Sequence, residues 1–478
     1  MNAVGALDLA VIAAYLVGIT AWGAWLGRTQ AGGDDYFLGS RSLPWGAVTL
    51  SVVATETSTL TFLSIPGISY LGSLTFMQLT IGYLLGRIAV ALVFLPAYHA
   101  GRLSTAYELL ETRFGPATRR LASAIFMATR LLADSVRLFA TAIPLALITG
   151  WPYPASIGVI AALTLVYTYY GGIRAVVWVD SVQMGLYLFG AGVAIAAIQA
   201  ATPGGWSDIL VSASAAGKLK VLEFSSRPEA PYTFLAGVLG GALFTMASHA
   251  TDQLIVQRLL TCRTKRDSQK AVVASGGAVA LQFLLFLLVG VGLWGFYGGQ
   301  DFASGDEIFA RFIVEELPTG ISGLLVACVF AAAMSSLSSS INSLASATAY
   351  DYWAPIARAR HDERRILRAG RVFTLAWGAL LASGAIAFIP LSKETSAVEA
   401  ALGVAAVVYG GLLGAFALGA LSKQAGQLSA IFGIVVGTAA VIAVRDQVGW
   451  LWYVPIGATA TVLSGAVTGW AASLKRLG

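Results

Sequence analysis

WGAVTLSVVATETSTLTFLSIPG, from Trp45 to Gly67, is an apolar segment of membrane-spanning length with a polar centre. The central residues 55–59 contribute four hydroxyls and the carboxylate of Glu56, and Pro66-Gly67 is predicted to end the helix. A charge at the centre of a membrane span costs about 2.5–3.5 kcal/mol on insertion scales, so such a group calls for a role. The pattern predicts a helix that is broken inside this span and that leaves carbonyls free, for example those of Ala54 and Thr57.

The whole chain has the composition of a membrane protein. Of its 478 residues, 57% are hydrophobic and only 11% are charged, whereas a soluble domain has about 25% charged residues. Long apolar stretches recur along the sequence, and we therefore expect an all-α polytopic membrane protein with no soluble domain of useful size. About thirteen spans are predicted, near residues 5–27, 44–64, 71–98, 121–148, 153–170, 177–200, 232–257, 271–297, 321–349, 369–389, 397–420, 427–444 and 449–472.

Basic residues test this span count. Of the 30 Lys and Arg residues, 21 fall in the segments that lie inside if the N-terminus is outside, and six fall in the outside segments. The other three, Arg87, Arg130 and Arg137, lie at membrane depth. The positive-inside rule thus predicts an outside N-terminus and a cytoplasmic C-terminus. Because the positive charges sit in short loops, the net charge of +6 does not indicate nucleic-acid binding, and the separated Cys262 and Cys328 do not indicate a disulfide.

A second interrupted span begins after residue 232. It reads FLAGVLGGALFTMASHATDQLIVQR and contains Gly240-Gly241, His249, Asp252 and Gln253. Two interrupted spans in corresponding positions of two halves indicate a transporter binding site. The spacing predicts one transmembrane transporter domain over residues 1–478. Five spans at 44–200 form one repeat, five at 232–420 form an inverted second repeat, and 5–27 and 427–472 lie outside the repeats.

Serines are concentrated in MSSLSSSINS, Met334 to Ser343. At helical spacing, Ser335 shares a face with Ser338 and Ser339. Hydroxyl oxygens suit a small hard cation when carbonyls or a carboxylate complete its shell, but small residues also line helix–helix interfaces in membranes. Asp180, at the start of the sixth span, could supply a carboxylate to a cation or could sit at the interface near Arg174.

The fourth span places Arg130, Asp134 and Arg137 on one helix face. Asp134 can pair with either arginine but cannot neutralise both. One arginine therefore either grips an anionic substrate, since a guanidinium binds a carboxylate through two hydrogen bonds, or belongs to a structural ion-pair network that includes Glu56 or another acid. If Arg137 has the first role, the substrate is an acid.

Five motifs together resemble the sodium:solute symporter family, which includes sodium/glucose, proline, sialic acid, iodide and monocarboxylate cotransporters. They are DYFLGSRSLPW (35–45), STAYELLETRFG (104–115), YGGIRAVVWVDSVQ (170–183), ATDQLIVQRLL (250–260) and AAAMSSLSSSINS (331–343). The likeness runs from about residue 35 to residue 420. It implies the leucine-transporter fold with two inverted five-helix repeats.

The resemblance also implies site residues. The first sodium site would use the carbonyls of Ala54, Thr57 and Ala332 and the hydroxyls of Ser335 and Ser336. A second sodium site would use Asp180, Ser335, Ser338 and Ser339. Relatives often have threonine before this aspartate, where this chain has Val179, so one further hydroxyl contact is missing.

Substrate contacts implied by position lie in the broken spans and their neighbours: Glu56, Ser58, Thr61, Gln78, His249 and Asp252, which Arg137 joins through the charge argument. Glu56 could bind an amine, tune the sodium site, hold a proton or cap the amides of the broken helix. His249 could be a ligand or a packed core residue.

The sequence thus predicts a secondary active transporter in the cell membrane that takes up a small solute with Na⁺ as coupling ion. Its expected partners are the solute, sodium and the lipid membrane, with no nucleic acid, no cofactor, no other metal and no obligate protein partner. No catalytic residues are predicted, and an enzyme is not expected. A proton-coupled symporter and a solute sensor remain alternatives. The motifs do not distinguish sugar, amino acid and monocarboxylate substrates.

Overall fold

A computed structural model of the protein describes residues 5–28, 30–101, 103–225, 227, 229–230, 232–302, 304–390 and 397–474. The chain ends that the topology prediction uses, residues 1–4 and 475–478, lie outside the described residues, as do Arg102 and Lys393. Within the described ranges every named element is helical, and Leu43 and Cys262 form an isolated bridge. The all-helical prediction is therefore confirmed for this part of the chain.

The described residues of the first half form ten α-helices. They are α1 (Ala6–Leu26), α2 (Gly33–Leu38), α3 (Trp45–Glu56), α4 (Thr59–Leu71), α5 (Gln78–Ala89), α6 (Leu95–Ala100), α7 (Glu108–Phe114), α8 (Pro116–Thr149), α9 (Tyr153–Ala201) and α10 (Gly205–Ala215). A π-helical turn at Val90–Phe94 joins α5 to α6, so the chain stays helical from α5 through α6.

The second half contains ten more. They are α11 (Gly241–Ala250), α12 (Gln253–Leu260), α13 (Lys265–Phe296), α14 (Gly305–Arg311), α15 (Ile321–Ala347), α16 (Ala354–Ile356), α17 (Glu363–Phe388), α18 (Ala397–Leu421), α19 (Gln427–Val444) and α20 (Tyr453–Leu474). Among the described helices that are long and apolar enough to cross a membrane, the segment Ile321–Ile356, which begins with α15, is the most deeply buried. Helix α15 packs against α9, α1, α8 and α17.

Among the described residues, eight helices are long and apolar enough to cross a membrane, or nine if α3 and α4 form one span. The thirteen spans expected from the sequence include segments that do not meet this combined requirement of helix length and hydropathy. One is α8, which is 34 residues long but carries Arg130, Asp134 and Arg137. The predicted spans 153–170 and 177–200 lie in one hydrogen-bonded element, α9, which departs from helical geometry at Gly172 (φ 52°, ψ −153°).

The predicted break in the second span is confirmed. Helix α3 ends at Glu56, α4 begins at Thr59, and the two axes differ by 64°. Thr57 and Ser58 are extended, and Ser58 Oγ accepts a hydrogen bond from the amide of Thr61, which caps α4. The prediction that Pro66 ends the helix is wrong. Pro66 lies inside α4, which continues to Leu71, because the helix had already restarted after Ser58.

The second interrupted span also breaks, but beyond its glycine pair. A π-helical turn, Ala236–Gly240, runs directly into α11. The chain leaves helical geometry at Asp252 (φ −92°, ψ 119°), whose carboxylate accepts a hydrogen bond from the amide of Leu254 at 2.9 Å and caps α12. A side chain that satisfies a free amide at a helix start stabilises the break where it stands.

Candidate functional site

A narrow cleft, with room for about one water molecule, lies between the broken helix, α8 and α15. Its walls carry hydroxyls, one carboxylate, one guanidinium and a few apolar groups: Ser58, Thr59, Asp134, Arg137, Leu138, Thr141, Ala333, Ser336 and Leu337. The extended residues after α3 supply Ser58, and the exposed backbone there can face a cavity. The cleft therefore combines broken-helix backbone with polar side chains from two continuous helices.

The Ser336 hydroxyl is the polar group of α15 in this cleft. It is buried, and within the part of the chain that the structure describes its Oγ has no hydrogen-bond partner. A buried hydroxyl is normally paired, so one without a partner indicates a place for a ligand. The other residues predicted for the first sodium site are close in sequence to the cleft: Ala54 and Thr57 at the end of α3, and Ala332 beside Ala333.

Ser335 points elsewhere. Its hydroxyl donates to the Asp180 carboxylate at 2.7 Å, so in this conformation it faces the residues of the predicted second sodium site. The two neighbouring serines are thus divided between two positions, Ser336 in the cleft and Ser335 at Asp180.

Arg137 projects from α8 into the same cleft. Its Nη1 donates to Asp134 at 3.1 Å, and its Nε is buried without a partner among the described residues. The other Asp134 oxygen accepts from Ser340 of α15 at 2.5 Å. Asp134 is therefore fixed from two helices and orients Arg137, which keeps an unused donor.

Arg130 belongs to an ion-pair network with another acid, which is one of the two alternatives that the sequence left open. It contacts Asp252 directly and lies 3.9 Å from the nearer Asp134 oxygen. Tyr409 of α18 completes this pair: its hydroxyl lies 2.7 Å from Arg130 and donates to Asp252 at 2.6 Å. Both arginines thus have a carboxylate partner, and the unused donor of Arg137, rather than an unbalanced charge, makes it a candidate ligand.

Arg130, Asp252 and Tyr409 line a second narrow cleft, together with Phe126, Thr129, Val408 and Leu412. Asp252, predicted as a substrate contact, lies here rather than among the residues that line the first cleft. Its carboxylate is already bonded to Arg130, Tyr409 and the amide of Leu254.

Glu56 belongs to a different cluster. One nitrogen of Arg87 contacts both of its carboxylate oxygens, at 2.5 and 2.6 Å, and His249 Nε2 lies 2.8 Å from Oε1. Arg87 and His249 are buried, whereas the Glu56 side chain is 21% exposed. Glu56 therefore joins α3, α5 and α11, and the acid that enters the Arg130 network is Asp252 instead.

Two other predicted contacts are also bonded within the protein. Thr61 caps α4 through Ser58. Gln78 is buried, donates to the carbonyls of Thr75 and Tyr232, and accepts from the amide of Glu223. None of these side chains lines the first cleft, so of the seven predicted substrate residues the structure places Ser58 and Arg137 there.

Asp180 is fully buried beside an arginine that sequence reasoning did not single out. Arg258 of α12 contacts Asp180 at 3.3 Å, donates to Ser51 at 2.9 Å and also donates to Ser339. Ser338 donates to the carbonyl of Ser335 at 3.1 Å. The residues predicted for a second sodium site do lie together, but with a guanidinium among them.

Arg87, Arg258 and Tyr409 were all missed as partners. Arg87 carries a signal in the sequence, since it is a charge at membrane depth. Arg258 lies in the motif ATDQLIVQRLL, which directly follows a predicted break, but the positive-inside rule places it in an inside segment. Tyr409 carries no signal in an apolar span.

The model of the family described as "Sodium:solute symporter family" matches residues 36–437. A sodium/sialic acid symporter of Proteus mirabilis is 30% identical over 476 residues, which cover 97% of this chain and 95% of that protein. The human sodium/iodide cotransporter is 29% identical, over 91% of this chain and 69% of its own.

Solved structures give the same result. The substrate-bound outward-open state of a Na⁺-coupled sialic acid symporter superimposes with a TM-score of 0.89 at 28% identity, and the match covers 97% of each chain. A nucleobase-cation-symport-1 family transporter in a closed conformation has a TM-score of 0.55 at 13% identity, which relates the folds alone.

Proposed function

The chain belongs to the sodium:solute symporter family, and on this premise we propose that it couples Na⁺ to the uptake of a small organic solute that carries a carboxylate. The observation that carries the proposal is the first cleft. A buried hydroxyl without a partner, Ser336, and a guanidinium with an unused donor, Arg137, line one space next to a broken helix.

Sodium would bind on the α15 side of this cleft. A helix that ends leaves its last carbonyls without intrahelical partners, and in transporters with broken helices such carbonyls coordinate Na⁺. The proposed ligands are the carbonyls of Ala54, Thr57 and Ala332 and the hydroxyls of Ser336 and Ser335. Ser335 would have to share its oxygen with its present contact to Asp180.

The solute carboxylate would bind Arg137. The relatives named above carry sialic acid and iodide, and others in the family carry monocarboxylates; all of these are anions at neutral pH. Ser58 would contact the solute's polar groups from the broken helix. Glu56, Thr61, Gln78, His249 and Asp252 remain proposed contacts that would have to exchange a present partner for the solute.

We further propose thirteen spans in one domain with two inverted repeats at 44–200 and 232–420, in the cell membrane, with the N-terminus outside and the C-terminus in the cytoplasm. Transport would follow alternating access, in which one bundle of helices rocks against the other around a fixed site. Sodium entry is favoured by the membrane potential, which is worth about 2.3 kcal/mol per charge at 100 mV.

A binding screen tests the proposal. Thermal unfolding of the purified protein in detergent would be followed with sialic acid, small monocarboxylates, neutral sugars and amino acids, each in NaCl and in KCl. We expect stabilisation by one carboxylate solute in NaCl only, because sodium and solute share a cleft. Stabilisation by neutral sugars alone, or equal stabilisation in both salts, would contradict it.

A further inference from the structure

The segment from Arg358 to Arg371 carries six arginines and only two acids. It leads into α17, a helix that is long and apolar enough to cross a membrane, and it contributes no side chain to either cleft. Clusters of about four to eight basic residues beside a membrane-spanning helix are typical of sites for anionic lipid headgroups. The charges of this segment therefore call for a partner outside the transport site.

The exposed face of α17 continues from its apolar part into its first turns. At helical spacing, Arg364 and Arg368 lie on the same face as Val372 and Leu375, and all four side chains are exposed. The opposite face, which includes Leu381, is buried against the protein. Because the exposed apolar face of a membrane-spanning helix meets lipid, the two arginines extend a lipid-facing surface.

Helix geometry sets the depth of these two arginines. The rise of an α-helix places Arg368 and Arg364 about 6 and 12 Å along the axis from Val372. The headgroup region extends about 5–8 Å beyond the hydrocarbon core on each side of a bilayer. Long arginine side chains can also reach along the helix toward headgroups. Both guanidinium groups can therefore meet lipid phosphates.

Aromatic side chains mark the same end of the bundle. Tyr169 and Tyr170 of α9, called here the tyrosine pair, pack edge to face with ring centroids 5.1 Å apart, and Tyr170 is exposed. Helix α9 packs against α17, where Arg371 Cζ lies 5.7 Å from the centroid of the Tyr169 ring. Tyrosine is enriched where a membrane meets water. The tyrosine pair thus places Arg371 at the interface as well.

The two acids of the segment are engaged by backbone amides. Asp362 accepts a hydrogen bond from the amide of Arg365 at 2.9 Å and caps α17. Glu363 accepts one from the amide of Asp34 at 2.7 Å. Both carboxylates therefore have a structural role at the start of α17.

The arginines on the lipid-facing surface keep their charge available. Arg360 has a carboxylate partner, since its Nη2 lies 3.4 Å from Glu111. Over the ranges that the structure describes, Arg364 and Arg368 form no ion pair. Exposed guanidinium groups of one sign at headgroup depth are complementary to a phosphate.

We propose that Arg364, Arg368 and Arg371, the arginine patch, bind the headgroup of an anionic phospholipid together with the tyrosine pair. The phosphate oxygens would accept hydrogen bonds from the guanidinium groups, and the acyl chains would lie along the apolar face of α17. A zwitterionic lipid binds less well, because its headgroup also carries a positive charge that the arginines repel. The site lies on the side of the membrane that the proposed topology assigns to the cytoplasm.

Native mass spectrometry of the purified protein tests this inference by counting bound lipids. The protein would be equilibrated in detergent with equal amounts of phosphatidylglycerol, which is anionic, and phosphatidylcholine, which is zwitterionic. We expect phosphatidylglycerol to be bound in preference, and added NaCl to reduce the preference, because salt screens exposed charges. Equal binding of the two lipids, or a preference that salt does not change, would overturn the inference.

Charge variants assign the preference to the arginine patch. Each basic residue near an anionic lipid surface is worth about fivefold in affinity, so Arg364→Gln with Arg368→Gln should weaken phosphatidylglycerol binding roughly 25-fold. The same two positions changed to lysine should retain most of it. Arg445→Gln, an exposed arginine after α19, is the control and should bind as the unchanged protein does. An unchanged preference in the double glutamine variant would overturn the inference.

Two other roles give different results. If the patch takes free phosphate, inorganic phosphate will displace phosphatidylglycerol from the unchanged protein, at an ionic strength held constant with NaCl, and this would overturn the inference. If the arginines only stabilise α17, the double glutamine variant will lower the Tm without changing the lipid ratio, with the same consequence. If that variant does not fold, the lipid ratio of the unchanged protein and its response to salt decide.

Discussion

Arg137 and Ser336 face one cleft from two helices, α8 and α15, and each retains a buried polar atom without a partner among the described residues. Leaving such a group unpaired costs about 1–3 kcal/mol. One atom is a charged donor that suits a carboxylate, and the other is a hydroxyl oxygen that suits a hard cation. Because both groups line the same cleft, an anion bound by Arg137 and a Na⁺ bound by Ser336 would lie close together and stabilise each other's binding.

Removing the Ser336 hydroxyl should weaken sodium binding. For Ser336→Ala we expect the sodium concentration at half-maximal uptake to rise about tenfold, which corresponds to roughly 1.4 kcal/mol, because one ligand of the first site is lost. Sodium titration of uptake in proteoliposomes measures this. Ser343→Ala is the control, since that hydroxyl donates to the carbonyl of Ser340 within α15. An unchanged sodium requirement in Ser336→Ala would remove Ser336 from the site.

Replacing Arg137 should affect the solute more than the ion. Arg137→Gln is expected to raise the KM for the carboxylate solute found in the screen by about tenfold or more, and Arg137→Lys by less, because lysine keeps the charge but loses the planar fork. Binding and uptake titrations measure this change. Arg120→Gln, at an exposed position of the same helix, is the control. If both Arg137 variants bind the solute normally, the carboxylate assignment fails.

The Glu56–Arg87 pair predicts an asymmetric effect on stability. Glu56→Gln leaves the buried Arg87 charge without its carboxylate, and such losses cost about 3–5 kcal/mol, whereas replacing both partners by apolar groups is often neutral. We therefore expect Glu56→Gln to lower the Tm in detergent more than the double change Glu56→Met with Arg87→Met. Equal Tm values for the two variants would show that the unpaired Arg87 charge carries no extra cost.

Gly172 makes a prediction about the backbone of α9. Its φ of 52° with ψ of −153° is essentially restricted to glycine, and a Cβ there would lie 2.5 Å from the Tyr36 carbonyl oxygen. Gly172→Ala should destabilise the protein by about 1–3 kcal/mol or more. Gly185→Ala, in the same helix with no neighbouring atom within 4 Å of the added Cβ, should be neutral or slightly stabilising. Thermal unfolding of the two variants side by side measures the difference.

The sequence was sufficient for features that depend on local pattern. The break between Glu56 and Thr59 follows from polar residues in an apolar span, whereas the capping of α4 by Ser58 was not predicted. The same reasoning misjudged Pro66, which is the eighth of the 13 residues of α4, because a proline inside a helix removes one hydrogen bond and can kink the helix without ending it.

Pairings between distant residues could not be predicted. Arg130 meets Asp252, 122 positions away, and Arg87 meets Glu56 across 31 positions. Periodicity assigns a residue to a helix face but does not identify the helix opposite it. Arg258 is the clearest case. In the sequence it resembles a loop charge, and only the packing of α12 against α3 and α15, with the contact to Asp180 of α9, reveals that it is buried.

The central claim is sodium coupling through the first cleft, and uptake into proteoliposomes tests it most directly. The carboxylate solute would be offered under an inward sodium gradient without a proton gradient, and under an inward proton gradient without sodium, for the unchanged protein and Ser336→Ala. We predict accumulation with the sodium gradient alone, and a much weaker response in Ser336→Ala at the same sodium concentration. Accumulation driven by the proton gradient in the absence of sodium would contradict the account.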